Sequence, residues 1–126
     1  GSITSTVSAN TDAGFSIVGW TGNGIDGATL GHGLTAASPE LIIFKNRDTA
    51  NDWFVMGYPN NPVFTADGSN LRLNTTATLA DSTTAEISIG SSVVTFVDNI
   101  DDINGNGDGM IAFCFHSVDG FSKVGS

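Results

Sequence analysis

Seven Asn-Gly and Asp-Gly pairs punctuate this 126-residue chain, and no other feature constrains its fold as much. Asn-Gly falls at 23–24, 104–105 and 106–107, and Asp-Gly at 26–27, 67–68, 108–109 and 119–120. Asn and Asp tolerate a positive φ and Gly prefers one, so such pairs suit the tight turns of β-hairpins. Short apolar segments lie between the turns: Phe15–Trp20, Leu41–Phe44, Trp53–Met56, Val63–Thr65, Leu71–Leu73, Glu86–Ile89, Val93–Val97 and Met110–His116. No segment sustains an amphipathic helical stripe. Short strands at roughly ten-residue spacing predict a single antiparallel β-sandwich, jelly-roll-like or lectin-like, over residues 1–126. The expected core holds Ile42, Phe44, Ile111, Phe113 and Phe115, with Ala112, Cys114 and His116 on the opposite face of the last strand. The polar stretch Thr75–Thr84 reads as a loop or weak edge strand.

Composition supports that reading and removes several functions. The chain has two Lys, two Glu and no Gln, so the straight-chain helix formers are nearly absent. Thirteen acidic against four basic side chains leave a net charge of −9. Binding to nucleic acid needs clustered Lys and Arg at the phosphates, and docking on an anionic membrane needs the same. No apolar run is long enough for a membrane-spanning helix, and no basic-then-apolar leader is visible. One Cys excludes an internal disulfide. Gly1-Ser2 is given no structural weight, as a pair of the kind that cloning leaves behind.

Three sets of residues suggest chemistry. Asp102-Ile103-Asn104-Gly105-Asn106-Gly107-Asp108 matches the opening of a calcium loop, in which oxygens at alternate positions wrap a hard cation. Asp102, Asn104, Asn106 and Asp108 are the candidate ligands and Ca²⁺ the candidate ion. The twelfth position is Phe113 instead of a bidentate Glu, and a plain solvated turn is the simpler reading. Trp20, Trp53 and Tyr58 are candidate ligand-binding rings, since planar aromatics cover the apolar faces of sugars. Half-buried strand aromatics are the alternative. His32, His116 and Cys114 read as structural: no G-x-S-x-G elbow is present, and two distant His plus one Cys make a poor zinc set. No catalytic residue is assigned.

One pattern concerns organisation. Gly14-Phe15-Ser16-Ile17-Val18-Gly19 is echoed by Gly120-Phe121-Ser122-Lys123-Val124-Gly125, as if a second unit of a tandem array began there.

Several stretches together carry a family resemblance: Ala13-Gly14-Phe15-Ser16-Ile17-Val18, Thr21-Gly22-Asn23-Gly24, Gly31-His32-Gly33-Leu34 and Pro39-Glu40-Leu41-Ile42-Ile43. Lys45-Asn46-Arg47-Asp48 with Trp53 and the closing Gly107–Phe115 and Gly120–Gly125 segments complete the set. The chain resembles a β-rich domain of the structural proteins of tailed bacteriophages, notably marine ones. That resemblance implies a non-enzymatic virion component with no catalytic residues to carry over. A tail-fibre or adhesin module contacting a host surface glycan or protein is the first expectation. A head-decoration or cement domain binding neighbouring virion subunits is the second, and the carbohydrate-binding part of a polysaccharide-degrading enzyme the third. Other virion proteins are the expected partners, and a homo-oligomer is compatible with the same reading.

Overall fold

Two antiparallel sheets, divided unevenly, pack face to face as a β-sandwich. The computed structural model describes residues 1–82 and 84–125, so Thr83 and Ser126 lie outside the described residues. The elements are β1 (Ser5–Asn10), β2 (Phe15–Thr21), β3 (Thr29–Gly31), β4 (Leu41–Asn46), β5 (Phe54–Met56), β6 (Gly68–Arg72), β7 (Ala80–Ser82), β8 (Ile87–Ile89) and β9 (Val93–Phe96), then a one-turn helix α1 (Asp101–Asn104) and β10 (Gly109–Phe115). The larger sheet runs β1-β2-β10-β4-β5-β6-β7 and the smaller β3-β9-β8. Among the described residues, no helix is long and apolar enough to cross a membrane.

Four of the turn pairs behave as their chemistry suggests. Gly24, Gly27, Gly107 and Gly120 all adopt positive φ, which a side chain would oppose. Gly68 and Gly109 instead open strands. The Val63–Thr65 segment does not join a ladder, because Asn61 captures it locally. The Asn61 Oδ1 accepts from the Val63 amide and the Asn61 carbonyl from that of Phe64. Thr75–Thr84 is loop up to Ala80, where β7 begins as a short edge strand. The terminal pair, given no weight from sequence, is built into the fold. Ser2 and Thr29 exchange hydrogen bonds of 2.7 and 2.9 Å, and a Cβ on Gly1 would stand 2.6 Å from the Thr29 carbonyl oxygen.

The core corrects one expectation. Ile42 and Phe44 face inward and are fully buried, but the inward set of β10 is Met110, Ala112 and Cys114. Ile111, Phe113 and Phe115 face out of the sandwich and are only half-buried. The reason is space. Trp20 from β2, Phe44 from β4 and Phe96 from β9 meet between the sheets, with ring centroids 6.1 to 6.4 Å apart. Ala112 pairs across to Val18 and Phe44, and Met110 to Trp20. Rings on the neighbouring strands fill the volume, so the central strand presents small or flexible side chains there. Leu41 and Ile43 are half-buried for the same reason, and β4 is not covered on both faces.

Both imidazoles sit at the end of the sandwich near Gly14 and Glu40. His32 is fully buried, accepts at Nδ1 from the Leu34 amide and meets the Gly90 carbonyl oxygen through Nε2 at 3.1 Å. This pattern fixes the Nε2–H tautomer. His116 Nδ1 lies 2.8 Å from the Ser117 carbonyl oxygen, while its buried Nε2 has no partner. Burial holds the His32 pKa below the usual 6.5, and His116 nearby adds to the depression. His32 braces the backbone at Leu34 and Gly90, and beside His116 the Ser117 hydroxyl donates to the Glu40 carboxylate at 3.0 Å.

Ala112→Asp should abolish cooperative urea unfolding, whereas Ile111→Asp, one residue along, should retain it; Phe44→Ala should cost about 3–5 kcal/mol. Because the folded chain resists protonating His32, its stability should be level above pH ~6.5 and fall as pH drops through that value, where the unfolded chain takes up the proton. Thermal melts from pH 8 to 5 in His32→Gln and the native chain measure this, with the slope shallower in the variant.

Candidate functional site

The three candidate aromatic rings do not form a platform. Trp20 is a core residue, 6% exposed, stacked on Phe96, with its indole N–H donated to Asn104 Oδ1 at 3.1 Å. Its pairing with Met110 points it inward, so it cannot stack on a sugar at the surface. Trp53 is 38% exposed beside β5. Tyr58 lines a separate hollow of about 380 Å³ with Ile87, Ile89 and Val97.

The candidate calcium loop turns one of its side chains into the core. Asn104 is fully buried. Its Oδ1 accepts from Trp20 Nε1 and from the Asn23 amide, and its Nδ2 donates to Asn23 Oδ1. Those two bonds fill the lone pairs of the amide oxygen. Asp102 Oδ1 instead accepts from Asn51 Nδ2 at 2.8 Å, and Asp108 Oδ2 from Asn46 Nδ2 at 2.7 Å. The turn of α1 aims Asp102 and Asn104 in different directions, and Asn106 packs beside Gly24. Asp102, Asn104 and Asp108 are thus each engaged by separate partners, Asn51, Trp20 with Asn23, and Asn46 in turn. Among the described residues, no group of three or more His, Cys, Asp or Glu side chains could hold a metal ion.

These bonds have a structural role. Asn46, also fully buried, accepts at Oδ1 from the Asp48 and Thr49 amides and donates to the Asp101 carbonyl as well as to Asp108. Asn46 and Asn104 thus tie loops 21–24, 46–49 and 101–108 into one cap over the ring cluster. A Cβ on Gly22 would stand 2.0 Å from the Gly105 carbonyl oxygen, so the close approach of two of these loops requires glycine there. Glu86 lies between β7 and β8, with Asp98 and Asp102 near enough to act on it. Burial first, and then the Asp98 charge, push its pKa up. Cys114 is inert: burial pushes its thiol to about 11.

The surface that sequence reading missed is the outer face of the large sheet. Register places Phe15, Phe115 and Leu41 side by side across β2, β10 and β4. The next row is Ile17, Phe113, Ile43, Val55 and Leu71, reaching β6. Ile111 and Lys45 follow, with Trp53 continuing the outward alternation one residue before β5 and bonded through its carbonyl to the Leu73 amide. Phe15 and Phe115 touch, with centroids 4.8 Å apart. At one end Phe121, Lys123 and Val124 wall a groove of about 520 Å³ over Phe15, Leu41, Ile43 and Phe115. Glu40 holds that wall by accepting from the Ser117 amide and hydroxyl, and the Ser117 hydroxyl accepts from Val124. No Asp or Glu occupies an outward paired position of β1, β2, β10, β4, β5 or β6. Lys45 donates through Nζ to the Asn46, Thr49 and Asn51 carbonyls, while Lys123 stands in the groove wall. The signal was present in the sequence as alternation in which both faces of β2, β4 and β10 are apolar.

Asn104→Ala strands the Trp20 indole N–H and the Asn23 amide, and should cost about 1–3 kcal/mol by chemical denaturation. Millimolar calcium should leave the melting temperature of the native chain unchanged; a rise reversed by chelation would show that the loop reorganises around an ion.

Neither the curated proteins nor the solved structures contain a match to the chain. The family comparison does give one, over residues 1–126, and the chain belongs to that family, the domain of unknown function DUF7483.

Proposed function

We propose that this domain is a non-enzymatic structural module that docks onto neighbouring protein subunits through the outer face of its large sheet. The observation that carries this reading is the half-buried apolar row of Ile17, Phe113 and Ile43, continued past a buried Val55 to Leu71 on β6, with no Asp or Glu at its paired positions in a chain of net charge −9. Monomeric proteins rarely expose contiguous apolar patches beyond a few hundred Å² unless something covers them. The sequence resemblance supplies the setting: a phage particle, in which the module would cement or decorate adjoining virion subunits. The repeated Gly-Phe-Ser segment supports a place in a longer, modular chain. Both copies open on a left-handed glycine, φ 66° at Gly14 and 74° at Gly120. Phe15 is packed, however, while Phe121 is 70% exposed.

Contact with a host surface, in a tail fibre or adhesin, is the second reading. It is favoured by the exposed Trp53 and by a hollow of about 450 Å³ lined by Thr4, Thr6, Thr21 and Arg47.

Binding to purified phage particles, followed by cosedimentation, tests the proposal. The native chain should sediment with particles at a fixed stoichiometry, and Phe113→Lys should release it. Absence of binding, together with Trp53-dependent retention on a host glycan array, would overturn the docking reading in favour of the adhesin.

A further inference from the structure

The geometry points to a saccharide site on the outer sheet face, at the opposite strand ends from the Phe121 groove, where a hollow of about 450 Å³ takes a neutral sugar ring. The inference stands apart from the Phe113 row. It rests on the second reading above, contact with a host surface, and names the ligand class for it.

Two glycines make the floor. Gly19 pairs with Thr6 of β1 and Ile111 of β10, and Gly109 with Thr21 of β2. Neither position demands glycine. Neither φ is positive, a Cβ on Gly19 would meet nothing nearer than the Met110 carbonyl oxygen at 4.0 Å, and one on Gly109 would touch Asp48 Oδ2 at an ordinary 3.4 Å. Glycine inside a strand costs backbone entropy and packs nothing, and it often marks a place where a ligand approaches the backbone. The fold has room for a side chain at both positions, but the hollow would lose its floor.

The walls carry the chemistry. Thr4, Thr6 and Thr21 are exposed on one side; on the other is Arg47, whose amide donates to the Gly109 carbonyl at 2.8 Å. Among the described residues, these three hydroxyls and the guanidinium make no hydrogen bond or ion pair. Asp48 stands against Gly109, its Oδ2 accepting from the Gly109 amide at 2.6 Å. The set offers a donor fork, a carboxylate acceptor and hydroxyls that both donate and accept. Neighbouring hydroxyls of a hexose also do both, so one ring answers all three kinds of group.

Charge and shape exclude the competitors. Arg47 and Asp48 cancel locally, and a net charge of −9 opposes an anionic sugar. A nucleobase needs a ring to stack on, and the ring beside this hollow, Trp20, is 6% exposed. A peptide anchor needs an apolar pocket, whereas hydroxyls, a guanidinium and bare glycine backbone form this one. The volume suits a small-molecule site, which typically spans about 300–1,000 Å³.

Nuclear magnetic resonance of the isotope-labelled chain tests this, with millimolar tetrasaccharides of glucose, galactose and mannose and with tetragalacturonate as probes. At least one neutral probe should move the Gly19 and Gly109 amides and the Arg47 Nε signal, and tetragalacturonate should bind more weakly. Gly19→Val should lose roughly tenfold or more in affinity while its melting temperature equals or exceeds the native one, a pairing that a structural role for this glycine does not produce. Arg47→Gln should weaken binding to a similar degree, and it decides should Gly19→Val fail to fold, since the side chain it replaces is exposed and unbonded among the described residues. Phe113→Lys should leave the sugar response intact. No shift with any neutral probe overturns the inference, as does binding that survives both substitutions or that favours tetragalacturonate. Trp53-dependent retention on a glycan array that persists in Gly19→Val would sink this site alone. Absence of saccharide binding in both assays would remove the host-surface reading with it.

Discussion

The rings of Trp20, Phe44 and Phe96 occupy the middle of the sandwich, and their volume decides which way β10 faces. A strand has only two faces, and a shift by one residue exchanges them completely. With three rings already between the sheets, Phe113 and its neighbours have no inward room, and Ala112 and Cys114 do. The bulky set is pushed out. The same parity sends Phe15, Ile17, Leu41 and Ile43 outward on the flanking strands, so a packing constraint inside the molecule creates an apolar surface on its outside.

The ring cluster in turn depends on a polar lid. A buried indole N–H without an acceptor is costly, and Asn104 supplies that acceptor from a one-turn helix at the end of the sandwich. Asn46 performs the matching service for Asp108 and the Asp101 carbonyl. The Asp/Asn/Gly run that resembles a calcium loop therefore also meets a folding demand. Its amides and carboxylates accept hydrogen bonds from side-chain N–H groups of neighbouring loops.

Much of the architecture was legible because turn chemistry is local. The Asn-Gly and Asp-Gly pairs, the alternation in Phe15–Trp20 and Met110–His116, and the absence of helical stripes all point to antiparallel strands. What stayed hidden depends on partners far away in sequence. Ser5–Asn10 lacks apolar alternation because it is an exposed edge strand, recruited by its six-residue register with β2. Thr29–Gly31 is too short to announce itself and is held by β9. Which face of β10 is buried could not be read from that strand alone, since both faces are apolar and the rings that choose between them come from β2, β4 and β9. Asn104 looked like a ligand because nothing local shows that an indole 84 residues away donates to it.

The placement of charge gives the outer face its meaning. Thirteen carboxylates confer solubility and mutual repulsion, so this chain resists association through most of its surface. Several of them gather on the loops that cap the ring cluster, including Asp48, Asp101, Asp102 and Asp108, and Asp48 accepts from the Gly109 amide where β10 begins. Excess like charge raises the cost of every arrangement that brings those loops together, whereas the outward paired positions of β1, β2, β10, β4, β5 and β6 carry no Asp or Glu. In the proposed docking, acidity would act as orientation control, opposing the modes that bring those loops together. The hydroxyl-bearing edge strand β1, with no Lys, Pro or carboxylate of its own, is the place where that control is weakest.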